Sequence, residues 1–142
     1  SFYKKNFLNL IGIDPTSKKF RKFYRNDIKI VPKFFSKKNY EKISKKKAKI
    51  VTSFSMFYDL PRPLEFAKDV YEILDEEGIW LLEQSYLPSM IKARSFDTIC
   101  HEHLEYYSLK TIKWIAEKIG FKIIHFKLND VNGGSFQIIL GK

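Results

Sequence analysis

The chain has a single cysteine, Cys100, among its 142 residues. That excludes an intramolecular disulfide framework and any zinc site built from several cysteines, and it suits a reducing compartment. No apolar run approaches the roughly 18 to 20 residues a bilayer-spanning helix requires, and the opening SFYKKNFLNL lacks the long apolar core of a secretory signal. A cytoplasmic protein without membrane contact is the expectation. Glycine is sparse, with 6 in all and no GxGxxG-like run, so the turn that cradles phosphates at the front of many nucleotide-binding α/β domains is missing. Acidic residues are few as well: 16 Asp+Glu stand against 26 Lys+Arg, a formal net charge of +10.

Hydrophobic residues make up 44% of the chain and aromatics 16%, with 13 Phe and 8 Tyr, which argues against disorder and for a packed core. The length fits one ordinary domain. Most of the basic excess lies before Ile50, in KK at 4 and 5, KKFRKFYR at 18 to 25, KK at 37 and 38, and KKKAK at 45 to 49. These clusters alternate with aromatics, as a phosphate-binding face would, but Lys clusters on connecting segments are usually solvated surface, so nucleic acid is not the expected partner.

The segment Asn9 to Ile13 (NLIGI) reads as a short buried strand ending in the Asp14-Pro15 turn, and Ser17 could cap a helix over KKFRKFYRN. Ile28 to Phe35 reads as a second strand, limited by Pro32 to an edge or an early end. Tyr40 to Lys47 has helical character, and the β-branched and aromatic Lys49 to Met56 reads as a central strand. Leu64, Ala67, Val70, Tyr71 and Leu74 recur at helical spacing, with Gly78 placed to end that helix in a left-handed cap. Ile79 to Leu82 reads as a strand covered on both faces and ends at Glu83-Gln84. Ser108 caps a second amphipathic helix closed by Gly120, and Phe121 to Phe126 and Ser135 to Leu140 form two strands joined without a helix. The sum is an α/β class: an incomplete Rossmann-like sheet, mostly parallel, with a C-terminal antiparallel hairpin. Residues 1 to 8 read as the end of a helix.

Three segments, SFSMFYDLPRPLEFAKDVYEILDEEGIWLLEQSYLPSM, FDTICHEHLEYYSL and NDVNGGSF, together resemble the sugar C-methyltransferase family of class I methyltransferases, from about Ile11 to the end of the chain. The resemblance implies S-adenosylmethionine as cofactor and, as substrate, a nucleotide-linked deoxysugar methylated on a carbon beside a ketone. It also implies that residues 1 to 142 are a single partial catalytic domain. The family's opening strand with its glycine-rich loop, its N-terminal zinc-binding module and its C-terminal domain have no counterpart in these residues.

By position alone Asp14 reads as an Asp-Pro turn; the resemblance makes it the carboxylate that accepts from both ribose hydroxyls of the cofactor. Ser53, Phe54, Ser55 and Met56 fall where the family contacts the cofactor, with sheet core as the plainer reading of Phe54. Carbon methylation beside a ketone requires removal of the α-proton and stabilisation of the enolate. The resemblance gives the base to His103, with Glu102 binding or orienting the sugar; an isolated HxH, by itself, more often belongs to structural or surface histidines. Cys100 stands where the family commonly has Tyr, a weaker donor to the enolate oxygen that Tyr106 or Tyr107 could replace. Glu83, Gln84 and Tyr86 follow a strand at the carboxyl edge of the sheet and are candidate substrate contacts, as is Asn132 in NGGS, where a plain hairpin turn explains the glycines equally well. No metal site is expected: were they in a strand, His101 and His103 would share a face, yet no third ligand stands at fixed spacing. Two other readings stand beside the methyltransferase: a non-catalytic or truncated module of that fold, and a basic nucleic-acid-binding domain. A sheet edge left open by the absent strand also makes a homodimer an assembly to test.

Overall fold

The computed structural model describes residues 8–142, so the helix end expected over residues 1 to 8 falls, except for Leu8, outside the described residues. These residues form two compact units that meet in sequence at Lys46 and Lys47.

In the first unit, β1 (Leu10–Ile13) and β2 (Ile28–Val31) pair in parallel, from Leu10↔Ile28 to Ile13↔Val31. The connection is not the expected helix over Lys18 to Asn26 but two short 3-10 turns, Pro15–Lys18 and Arg21–Phe23. Local side-chain bonds outcompete the helix ladder. Asp14, rather than Ser17, is the cap: its Oδ1 accepts from the Thr16 backbone N–H at 2.6 Å and from the Thr16 hydroxyl at 2.5 Å. The buried Ser17 hydroxyl turns back to donate to the Asp14 carbonyl at 2.6 Å. Arg21 donates to the Tyr24 and Arg25 carbonyls at 3.3 and 3.4 Å, tying off the second turn. β2 stops one residue before Pro32, as its fixed φ and missing N–H require. α1 (Lys37–Glu41) begins earlier than the expected Tyr40, because the Ser36 hydroxyl accepts from the Asn39 N–H at 3.2 Å.

The second unit is a four-stranded sheet in the order β3-β4-β6-β5 with three helices. β3 (Ala48–Phe54) runs parallel to β4 (Leu74–Ser85), and β6 (Ser135–Gly141) runs antiparallel to both β4 and β5 (Lys122–Asn129). The α/β class and the closing hairpin agree with the sequence. β3 lies at an edge of this sheet and β4 inside it. α2 (Pro63–Ile73) and α4 (Leu109–Ile119) supply the apolar cover, with Ala67, Val70 and Ile73 from the first and Ile112, Ile115 and Ala116 from the second buried. Alternation along the strands sends Trp80, Leu82 and Gln84 of β4 and Phe136, Ile138 and Leu140 of β6 into the interior. Each such large apolar side chain contributes about 1.5 to 3 kcal/mol.

Two helix ends differ instructively. Ser108 caps α4 through the Thr111 N–H at 3.3 Å, and Gly120 closes it at φ 107°, as the sequence indicates. Gly78 caps nothing; it lies within β4, where a Cβ would stand 2.8 Å from the Ala48 carbonyl oxygen and 2.9 Å from Leu74 Cγ. The helix has already ended at Ile73, because Leu74 turns extended and pairs with Ala48. Between β4 and α4 lies α3 (Leu87–Ala93), which opens on Leu87-Pro88 and ends at Arg94 in a left-handed conformation, φ 54°. No helix described is long and apolar enough to cross a membrane.

Candidate functional site

Parallel strands β3 and β4 end side by side, with Phe54 opposite Glu83 and the Ser55 N–H donating to the Glu83 carbonyl at 2.9 Å. Carboxyl ends of parallel strands are where open α/β sheets place ligands, since the chain must leave the sheet there and expose side chains and backbone. Ser53 is buried, its hydroxyl accepting from Trp80 Nε1 at 3.1 Å; its role in the fold is to satisfy the indole. Phe54 points to the other face and is 49% exposed. Ser55 takes a left-handed φ of 48°, an uncommon conformation for serine that turns the chain sharply out of the strand. Met56 is half-buried.

Past the strand, Phe57 drops into the core against Phe66, Trp80 and Tyr107, with centroid separations of 5.9, 5.6 and 5.3 Å. Its neighbour Tyr58 thereby sits on a fixed base and carries the HEHLE segment. The Tyr58 carbonyl accepts from the Leu104 and Glu105 N–H groups at 2.9 and 3.1 Å, and its ring lies 4.4 Å from that of His103. Nδ1 of His103 is 2.8 Å from the Thr98 carbonyl oxygen. A carbonyl only accepts, so Nδ1 carries the proton, and in the neutral imidazole Nε2 holds the free lone pair. That is the atom arrangement a general base needs.

The surroundings of His103 are polar. Partial desolvation pushes the Asp59 carboxyl above its usual range, Glu102 adds to the push, and His103 opposes it. Glu102 is held below the usual range by the Cys100 thiol first, then by its own backbone N–H and by His101. His101 is 91% exposed and within 3.4 Å of Glu102. Neither histidine is in a strand, and no group of three potential metal ligands exists among the described residues. Burial pushes the Tyr58 phenol up, with the Ser55 side chain opposing. Of the two tyrosines that could stand in for the missing phenol at Cys100, Tyr106 has its hydroxyl 3.5 Å from the Thr98 oxygen. Tyr107 is buried, its hydroxyl without a partner among the described residues and its phenol pushed up by desolvation, so it belongs to the core.

The candidate substrate residues divide between the two sheet faces. On the face that bears Phe54, Glu83 accepts from Asn129 Nδ2 at 3.0 Å and Gln137 Nε2 at 3.1 Å, both at Oε2. With Phe54 opposite Glu83, and Gln137 and Lys127 continuing the register, one row of mixed chemistry crosses all four strands. Gln84 faces the other way, is 0% exposed, and has an amide with no partner in the described residues. Tyr86 packs on Phe126 and Phe136 at 6.2 and 5.9 Å. Asn132 is at the tip of the β5–β6 connection with φ 52°. Beside that tip a cleft of about 500 Å³ is lined by Ser89, Lys92, Asn129, Asp130, Gly133 and Gly134. Sequence reasoning missed Tyr58, Asp59 and Thr98; the signal for the first two was their place directly after a strand whose end was already a candidate site.

In the first unit Asp14 directly follows β1, and its backbone N–H continues the ladder to Val31 at 3.1 Å. The local geometry is the Asx-type turn that position alone suggests: Oδ1 is taken by Thr16, and among the described residues Oδ2 makes no hydrogen bond.

The fold is that of class I methyltransferases. A structure of an S-adenosylmethionine-dependent methyltransferase from Archaeoglobus fulgidus superposes with a TM-score of 0.69 at 19% identity, over 93% of this chain and 75% of that one. A structure of LepI in complex with S-adenosylmethionine gives 0.71 at 13% identity, over 94% of this chain and 36% of that one. A family profile described as a methyltransferase domain matches residues 1–126, and the chain belongs to that family. Among curated proteins it is 28% identical over 131 residues to the C-methyltransferase NovU of Streptomyces niveus. That match covers 91% of this chain, which spans 31% of the relative's length.

Proposed function

We propose that the chain is part of an S-adenosylmethionine-dependent C-methyltransferase acting on a carbon next to a ketone of a nucleotide-linked deoxysugar, with His103 as general base. The observation that carries the reading is the state of His103: Nδ1–H is committed to the Thr98 carbonyl, leaving Nε2 to accept a proton from a ring seated against Tyr58.

The cofactor suits the residues present. Each unit by itself carries residues of the expected chemistry: in the first, Asp14 retains Oδ2 to accept from a ribose hydroxyl; in the second, a half-exposed Phe54 offers an aromatic face for adenine, and Ser55 and Met56 leave the strand in a sharp turn. When bound, S-adenosylmethionine supplies an electrophilic methyl group. The work of the chain's own residues is to create the nucleophile. Nε2 of His103 takes the α-proton and the electron pair moves into the ketone to give an enolate, with the Tyr106 hydroxyl as the candidate donor to its oxygen; positioned acid-base groups of this kind contribute about 10² to 10⁴ in rate. Glu102, kept ionised by its neighbours, accepts hydrogen bonds from sugar hydroxyls, and Glu83 does the same through the oxygen its amide partners leave open. Asn132 and Tyr86 extend the substrate contacts, whereas Gln84, 0% exposed on the face opposite Glu83, does not reach substrate.

A calorimetric titration with S-adenosylhomocysteine tests the cofactor half of the proposal without requiring the sugar. Micromolar binding, worth about 8 kcal/mol, that is weakened by Asp14→Ala is the expected result; a folded chain that takes up no heat points instead to the non-catalytic module.

A further inference from the structure

We infer that Tyr58 is the positioning residue of the base: its ring fixes the plane of the His103 imidazole so that Nε2 faces outward. The inference rests on the reading of His103 as a base and adds a residue that neither the family match nor the HEH run points to.

A histidine side chain turns about two soft torsions. The bond from Nδ1 to Thr98 at 2.8 Å is a single contact, which a mobile side chain makes and breaks unless its ring is held. Two aromatic neighbours hold it. Tyr58 lies 4.4 Å away, centroid to centroid, tilted at 52°, at the near limit of aromatic ring contacts. Tyr106 stands at 6.4 Å and 70°, edge-on, as a second wall. Tyr58 itself is 9% exposed and follows the completely buried Phe57, so its ring has little room to move. The Tyr58 carbonyl also holds the Leu104 and Glu105 N–H groups. Backbone and ring of one residue therefore hold the imidazole and the two residues that follow it. Ring orientation and tautomer are set together, as a base that must present one particular nitrogen requires.

The two grips can be separated, because a side-chain substitution leaves the carbonyl bonds in place. Nitrogen-15 NMR of the neutral imidazole reports which nitrogen bears the proton. The native chain should show a protonated Nδ1 and a bare Nε2, with cross-peaks between the rings of His103 and Tyr58. Tyr58→Phe should preserve this pattern, since the ring and not the hydroxyl does the positioning. Tyr58→Ala should lose it, giving the averaged tautomers of a mobile imidazole. Should Tyr58→Ala fail to fold, by the criterion of the α4 and β5 amide signals, Tyr58→Leu keeps the apolar volume without the flat face and should also lose the pattern. Retention of the Nδ1–H tautomer in the folded Ala or Leu variant would overturn the inference, as would its loss in Tyr58→Phe. Failure of the base assignment looks different: the NMR pattern depends on Tyr58 as described, yet His103→Gln leaves α-proton exchange intact.

Discussion

Replacing Phe57 by alanine removes the side chain on which both core and site depend. Phe57 is 0% exposed and touches three rings: Phe66 of α2, Trp80 of β4, and Tyr107 just before α4. Truncation of a buried Phe of this kind costs about 3 to 5 kcal/mol, transfer and cavity terms together. Domains of this size have roughly 5 to 15 kcal/mol in total. With a urea dependence of about 2 kcal/mol per molar, the unfolding midpoint should fall by about 2 M. Trp80 fluorescence follows the transition directly once the 51% exposed Trp114 is replaced by Phe. Tyr58 should loosen in parallel, with broadening of the His103 ring signals before global unfolding. A loss below about 1 kcal/mol would show that the site can collapse around the cavity, and would refute the claim that this residue supports the HEHLE segment.

Three further substitutions probe other parts of the account. Gly78→Ala places a Cβ 2.8 Å from the Ala48 carbonyl and should lower stability by about 1 to 3 kcal/mol through overpacking, read as a drop in melting temperature; a neutral result would contradict the β3–β4 register. Ser108→Ala removes the α4 cap and should cost about 1 kcal/mol in chemical denaturation. Asp59→Asn should stabilise the protein at neutral pH. The folded pKa of Asp59 lies above its unfolded value, so its protonated form favours the fold, and that contribution is lost as pH rises through the folded pKa. The melting-temperature gain of Asp59→Asn should accordingly vanish below about pH 3, under the unfolded value of roughly 3.9; a gain that persists in acid would point to a cause other than ionisation.

What could be read from the sequence was what depends on neighbours along the chain. The α4 caps at Ser108 and Gly120, the apolar runs of β4 and β6, and the hairpin after Asn129 all carry local signatures, and all are present. The failures share a different cause. Gly78 looks like a helix stop, but its reason for being glycine is the Ala48 carbonyl on the neighbouring strand. α3, with seven residues, is too short to show a period, and the left-handed residue at its end is Arg94 rather than glycine. Over Lys18 to Asn26 the Ser17 cap points to a helix, whereas Asp14 and Arg21 spend their polar groups on local turns. At the site, the HEH run drew attention to His103, but its partners, Thr98 and Tyr58, are chosen by a fold of the chain that no spacing rule encodes. Likewise Glu83 and Gln84 are adjacent in sequence and opposite in fate: one faces Asn129 and Gln137, the other is sealed among core residues.

The central claim is that His103 removes a proton from carbon. It is tested most directly by following deuterium uptake at the carbon beside the ketone of a nucleotide-linked 4-keto-deoxysugar in heavy water, using the native protein and His103→Gln, with S-adenosylhomocysteine affinity measured on both. The account predicts exchange in the native protein, its loss in His103→Gln, and equal affinity for the cofactor product. Undiminished exchange in His103→Gln would contradict it.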